Sequence, residues 1–287
     1  MRTDVPDLSR RLDAARQALE SCTLCPLQCR ANRLAGQTGL CGLDARTFCF
    51  RRCISYAEEI ELLPSYMVYL SGCNLRCASC LQAPSSIDGR SGELLNGRSL
   101  AAILENQVSC GARSINLVGG EPGLHPHTIL EAVIAAGRQL PLVLNTNLYL
   151  GPAALELLDG LTGLYLVDFK FGDNACARRL AGIEQYIEVM RRNLKLLASR
   201  PVLVRHLLLP GHAECCFEPM IRWLAKERPG VPVHVMGGFI PAWQSAAVGL
   251  DRTVDGRQLD SARQLASDCG ACVYDPGTFN WPARNAG

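Results

Sequence analysis

The chain runs to 287 residues with 29 Lys and Arg against 27 Asp and Glu, a net charge of +2 that gives no reason to expect a nucleic-acid partner. A composition 48% hydrophobic and 20% charged excludes disordered, collagenous and coiled-coil classes. The unusual number is 15 cysteines, in a chain long enough to bury a core without disulfide staples.

The opening MRTDVPDLSRRLDAARQALESC lacks the apolar stretch and small-residue cleavage site of a secretory signal. No run of about 18 apolar residues occurs, so no transmembrane helix and no membrane partner are expected. The expected location is the cytoplasm, where cysteines serve as metal ligands or reactive thiols. Residues 1–21 read as an amphipathic helix with Leu8, Leu12, Ala15 and Leu19 at helical spacing, a lid or brace. From Cys22 to about Cys53 the chain carries six cysteines with weak periodicity. It is too irregular for a regular sheet or a long helix, and ligands rather than a core are expected to order it.

Beyond this stretch, short Val-, Leu- and Ile-rich runs alternate with segments of helical period, the mark of βα units around a parallel sheet. Strands are expected at Met67–Leu70, Ser114–Val118, Leu142–Asn145, Leu164–Phe171, Val202–Leu209 and Val231–Met236. Helices are expected at His125–Arg138, Ala153–Leu161, Ile183–Ser199 and Phe217–Glu227. Six units make an α/β open sheet or a partial (β/α)6 barrel, with the site at the carboxyl ends of the strands. The expected organisation is an N-terminal helix (1–21), a Cys-rich extension with a second metal site (22–65), a core (66–245), and a C-terminal helix with a closing segment (246–287).

The first strand runs into SGCNLRCASC, which places Cys73, Cys77 and Cys80 at C-x3-C-x2-C spacing in a loop at a strand's carboxyl end. Three thiolates can each bind one iron of a [4Fe–4S] cube and leave the fourth iron open to a substrate or cofactor. The plainer alternatives are zinc on three thiolates or unligated core cysteines. One unit later, Gly119, Gly120, Glu121 and Pro122 form a turn in which two residues without Cβ admit a close neighbour and a carboxylate is available for an ammonium. Such a turn taken alone is an ordinary strand-to-helix connection.

Asp168 and Lys170 stand two apart on an apolar strand and share a face, as a buried ion pair or as ligand contacts. Asn145 and Asn147 lie at the end of the third strand, as polar contacts or as turn formers. On the fifth strand Arg205 and His206 alternate, so one of them faces the site, and His212 follows. His234 lies on the sixth, where a lone histidine is as readily a satisfied core residue.

The cluster-loop spacing resembles the radical S-adenosylmethionine (SAM) enzymes. CTLCPLQCRANRLAGQTGLCG, Glu58–Glu59, GGEP, LLDG, DFKFGD and LPGHAEC, in that order, resemble a poorly characterised branch of pyruvate formate-lyase activating enzyme-like proteins over about Cys22–Pro241. The resemblance implies a site-differentiated [4Fe–4S] cluster on Cys73, Cys77 and Cys80, with SAM on the open iron. It also implies reductive cleavage of SAM to a 5′-deoxyadenosyl radical that abstracts a substrate hydrogen atom. The GGEP turn, Asn145, Asn147, Asp168, Lys170 and His234 become SAM contacts, and Lys170 and Arg205, the latter ahead of the Pro210–Gly211 turn, catalytic residues. Ser79 stands near the adenine where the family has an aromatic residue. Leu81 and Gly237–Gly238–Phe239 depart from the branch where substrate choice is made. Implied partners are a reductant such as flavodoxin or ferredoxin and a glycyl-radical enzyme or peptide.

Cys22, Cys25, Cys29 and Cys41, at C-x2-C-x3-C-x11-C, form a four-thiolate set for zinc or an auxiliary iron–sulfur cluster, with Cys49 or Cys53 as substitutes for one ligand. Reduced cysteines with no metal are the plainer reading. Cys269 and Cys272 read as a packed or incidental pair, and no role attaches to Cys110, Cys176, Cys215 or Cys216. The leading expectation is a radical SAM enzyme that abstracts a hydrogen atom from an unidentified substrate and resembles glycyl-radical-enzyme activating proteins. A maturase or small-molecule enzyme is the alternative, and a non-catalytic zinc scaffold a remote one.

Overall fold

The computed structural model describes residues 5–137 and 139–279. The expected helical start at residues 1–4, Arg138 at the expected helix end and the closing residues 280–287 lie outside them. The described chain divides into two compact units. The first is the chain to Asn74 with Pro84–Tyr165, and the second is Leu75–Ala83 with the chain from Leu166 onward.

In the first unit α1 (Val5–Gln17) lies ahead of the Cys-rich stretch, and Leu8 and Ala15 are buried on one face of it. β1 (Thr47–Ser55) pairs antiparallel with β2 (Ser65–Leu70), and β3 (Glu93–Leu95) pairs antiparallel with β1. α2 (Gly97–Ser109) starts at a capping box, where Asn96 accepts from the Ser99 amide and Ser99 accepts from the Asn96 amide. β4 (Ser114–Gly119) lies parallel to β2, and β5 (Leu142–Thr146) parallel to β4. α3 (Pro126–Ala136) follows β4 and α4 (Pro152–Leu158) follows β5. β5 is buried along its whole length, which accounts for a continuous apolar run instead of alternation.

β6 (Leu164–Asp168) ends in the second unit, which continues through α5 (Asn174–Ala181), α6 (Tyr186–Leu196), β7 (Val202–Leu207), α7 (Glu218–Glu227), β8 (Val233–Met236) and α8 (Gly256–Asp268). β7 and β8 are parallel. The six strands β2, β4, β5, β6, β7 and β8 keep their chain order, the open parallel sheet of a partial (β/α)6 barrel. All six expected strands are present, as are the four expected helices. β6 stops at Asp168 rather than Phe171, β7 at Leu207 rather than Leu209, and β8 starts at Val233 rather than Val231.

The Cys-rich stretch corrects one expectation. It contains a regular strand, β1, whose Thr47 and Cys49 are buried while Arg51, Arg52 and Cys53 are exposed. The run Arg51 to Ile54 is exposed on both faces and carries no alternation. The stretch also has anchors in the protein itself. Leu24 and Leu43 are fully buried, and the Gly151 amide donates to Leu24 O at 2.8 Å. Buried Arg33 donates to Asp44 O and Leu124 O, each at 3.0 Å. Burying one leucine stabilises by about 1.5–3 kcal/mol, so these two anchors and the buried arginine contribute to holding the segment.

Candidate active site

The part of the site in the first unit is built from the ends of β2, β4 and β5. Gly72, at φ +83°, follows Ser71, and a Cβ there would lie 2.3 Å from Leu43 Cδ2. Gly119, at φ +114°, has Leu70 O 2.4 Å from where its Cβ would stand, and Gly120 has Gly72 O at 1.9 Å. The close neighbour that these glycines admit is therefore the backbone entering the cluster loop. Buried Glu121 accepts from the Gly123 amide at 2.9 Å, Thr146 Oγ1 at 2.7 Å and the Asn147 amide at 2.7 Å. Its carboxylate thus ties the turn after β4 to the end of β5.

Asn147 Nδ2 donates to Asn74 Oδ1 at 3.0 Å and lies 3.7 Å from Cys73 Sγ, while its Oδ1 accepts from the Tyr149 amide. Asn147 is therefore both a turn former and a neighbour of the first cluster-loop thiol. Fully buried Asn74 donates to Tyr149 O, and Asn145 is buried in β5.

The second half of the cluster loop belongs to the second unit. The Arg76 amide donates to Ala181 O at 3.0 Å and the Ala78 amide to Leu180 O at 2.8 Å, which hangs the loop on the end of α5. Cys77, Ser79 and Cys80 are half-buried. Burial pushes the Cys77 thiol up to about 11, opposed by the nearby Lys170 ammonium. Lys170 Nζ meets Asp168 Oδ2 at 2.6 Å, and its amide donates to the Tyr186 hydroxyl at 2.7 Å. Burial works against the Lys170 charge, but Asp168 and Cys77 outweigh it and hold the ammonium above its ordinary range.

The residue between them, Phe169, is buried, its amide donating to Arg205 O at 2.9 Å. Arg205 and His234 are register partners on β7 and β8 and share a face. His206 faces the other way, buried, with Nδ1 2.7 Å from Phe169 O and its ring against Phe217. Burial holds its pKa down to about 4, so it is a neutral core histidine. His234 stacks on Tyr274 with ring centroids 4.9 Å apart.

Iron binds thiolates, and its clusters are tuned by hydrogen bonds to sulfur and by nearby charge. The Asn147 amide near Cys73 and the Lys170 cation near Cys77 are groups of that kind, so the loop fits a cluster that needs ionised thiols.

In the N-terminal stretch Cys22, Cys25 and Cys41 are buried and Cys29 is exposed. Burial, with Cys41, Cys22 and Cys29 adding to it, pushes the Cys25 thiol up to about 12, so the four are electrostatic neighbours. A second cluster escaped sequence reasoning. Among the described residues, the thiols of Cys176, Cys215 and Cys216 and the His212 ring form the group whose ligand atoms all lie within 4.8 Å of one another. H-x2-C-C in GHAECC was its one local signal, and the fourth member stands 36 residues upstream of the histidine.

Among the described residues no helix is long and apolar enough to cross a membrane. The chain is 27% identical over 276 residues to an uncharacterized protein of Methanocaldococcus jannaschii, covering 93% of this chain and 81% of that protein. It is 32% identical over 107 residues to a 7-carboxy-7-deazaguanine synthase of Methanothermobacter thermautotrophicus, covering 37% of this chain and 42% of the relative. The fold is similar to that of Streptococcus suis SuiB bound to its precursor peptide SuiA, with TM-score 0.52 at 13% identity, over 68% of this chain and 43% of SuiB. Residues 67–224, from β2 through most of α7, match the description of the radical SAM superfamily, and the chain belongs to that superfamily.

Proposed function

We propose that this protein reductively cleaves SAM and uses the resulting radical to take a hydrogen atom from a substrate. Cys73, Cys77 and Cys80 would hold the [4Fe–4S] cluster. That cluster, with SAM, supplies a one-electron cleavage of the sulfonium to methionine and a 5′-deoxyadenosyl radical. The carrying observation is the Asp168–Lys170 pair beside Cys77. Lys170 keeps a fixed positive charge next to a thiol whose burial opposes ionisation, and Asp168 fixes the ammonium in place. Glu121 holds the turn whose backbone would face the SAM amino acid end, and Asn147 orients Cys73. Arg205 and His234, register partners on β7 and β8, would bind anionic or polar groups of SAM or substrate. Ser79 and Asn145 remain candidates for contacts to the nucleoside.

The substrate class we favour is a peptide glycine in a partner glycyl-radical enzyme, with electrons from a flavodoxin or ferredoxin; the ordered series of activating-enzyme-like motifs supports it. The second reading, a small-molecule enzyme, is favoured by the partial match to 7-carboxy-7-deazaguanine synthase. The N-terminal cysteines are proposed as a metal site serving structure or electron relay.

The SAM-binding claim is tested by paramagnetic resonance of the reduced, reconstituted protein with and without SAM. A spectrum altered by SAM is expected from an iron with no protein ligand, and an unaltered one contradicts the assignment. Glycine-containing peptides deuterated at Cα then separate the substrate classes. Deuterium transferred to 5′-deoxyadenosine supports the activase reading, and its absence while SAM is still cleaved favours the small-molecule one.

A further inference from the structure

Cys176 opens the first turn of α5, whose cap residue Asp173 accepts from the Cys176 amide at 2.6 Å. His212, Cys215 and Cys216 come from the turn after β7, where Ala213–Phe217 winds as a single π-type turn. The Cys216 amide donates to His212 O at 2.9 Å, and the Phe217 amide reaches the same oxygen at 3.3 Å. This widened turn brings the ring and two successive thiols to one side, and such turns recur at functional positions.

His212 Nδ1 lies 3.4 Å from Cys176 Sγ, 3.3 Å from Cys215 Sγ and 3.6 Å from Cys216 Sγ. Cys176 Sγ stands 3.5 Å from Cys215 Sγ, and Cys215 Sγ stands 3.9 Å from Cys216 Sγ. A tetrahedral zinc ion with Zn–S of about 2.3 Å and Zn–N of about 2.05 Å requires sulfur–sulfur edges of about 3.8 Å and sulfur–nitrogen edges of about 3.6 Å. The observed edges cluster around those lengths. A four-iron cube places each ligand on its own iron and spreads the ligand atoms further apart than a single ion does.

We propose that Cys176, His212 Nδ1, Cys215 and Cys216 bind a single structural zinc ion. Three cysteines and a histidine are a closed zinc set with no position left for water, so the role is to clamp rather than to catalyse. What it clamps is the loop after β6. Gly172, two residues beyond Lys170, lies so close to the π-type turn that a Cβ would stand 2.2 Å from Cys216 O and 2.7 Å from Cys215 O. The three thiols crowd one another around the ring, and two of them are buried. One present contact has to yield. Arg179 Nη2 lies 3.0 Å from His212 Nε2, and zinc at Nδ1 moves the ring proton to Nε2, where arginine offers no acceptor. Arg179 is exposed and free to turn into solvent.

The test counts zinc and iron by plasma mass spectrometry in the full chain purified from zinc-supplemented cells, as wild type, as Cys176→Ser/Cys216→Ser and as His212→Cys. The double variant is expected to hold one zinc fewer per chain than wild type, with iron unchanged. His212→Cys keeps four ligands and is expected to keep the zinc. Its zinc X-ray absorption should lose the imidazole scattering, which the all-cysteine N-terminal set cannot supply. If the double variant loses iron as well through misfolding, His212→Cys decides alone. A wild type without zinc, equal zinc in wild type and the double variant, or imidazole scattering that survives in His212→Cys overturns the proposal.

Discussion

Between Cys22 and Cys41 four thiols lie within one short stretch of chain, where burial, with the neighbouring thiols adding to it, raises the Cys25 and Cys41 pKa, and Leu24, Leu43 and Arg33 anchor the same segment. Cys176, His212, Cys215 and Cys216 come from two loops, and their ligand atoms converge to single-ion distance. In the first region buried leucines and a buried arginine anchor the chain alongside the thiols. In the second, the three thiols and the His212 ring approach one another at 3.3–3.9 Å. Sequence spacing is therefore a poor guide to which ligand atoms converge to single-ion distance.

The comparison is broken most severely at the glycines. Gly172→Ala puts a methyl group into the Cys216 carbonyl, with a cost of about 3 kcal/mol or more and loss of the zinc expected. Thermal unfolding together with metal content checks both. Next, Leu24→Ala should cost about 2–5 kcal/mol in denaturant unfolding because it empties a fully buried site in the N-terminal stretch. Cys25→Ala in the metal-replete protein should cost much less. If Cys25→Ala proved the more damaging of the two, the N-terminal stretch would be ligand-ordered after all.

Acid acts on both regions through histidines, with a smaller effect. His206 and His127 are held at about 4 by burial, against 6.5 in an unfolded chain. Between those values the unfolded chain binds more protons, so stability is full above pH 6.5 and falls as pH drops toward 4. His206→Gln should flatten that fall in unfolding free energy measured across pH 4–7. The smallest expected effect lies at Asp44. Burial raises its pKa, yet hydrogen bonds from Arg46 and Arg90 outweigh burial and hold it at about 2. Its contribution is present above 3.8 and lost as pH falls toward 2. Arg90→Ala should move that loss upward in an acid titration of stability.

The six parallel strands were legible because buried parallel strands are uninterrupted apolar runs with turn residues at their ends. β1 was not, because the run Arg51, Arg52, Cys53 and Ile54 is exposed on both faces and carries no alternation. α5 was missed because eight residues with two arginines and three alanines carry too little periodicity. At the site, C-x3-C-x2-C, GGEP and Asp168–Lys170 could be read since each lies within one strand end. That Glu121 braces the turn after β4 against β5, that Asn147 lies near Cys73, and that His206 rather than Arg205 enters the core depend on neighbours far away in the chain. The Cys176–His212–Cys215–Cys216 group was illegible for the same reason.

The central claim is that the loop after β2, and not the N-terminal stretch, carries the radical chemistry. The direct measurement is 5′-deoxyadenosine formed from SAM under anaerobic reduction by reconstituted wild type, Cys77→Ala and Cys25→Ala. Formation by wild type, none by Cys77→Ala and a retained fraction by Cys25→Ala is the predicted result. Cleavage of SAM by Cys77→Ala at the wild-type rate would contradict it.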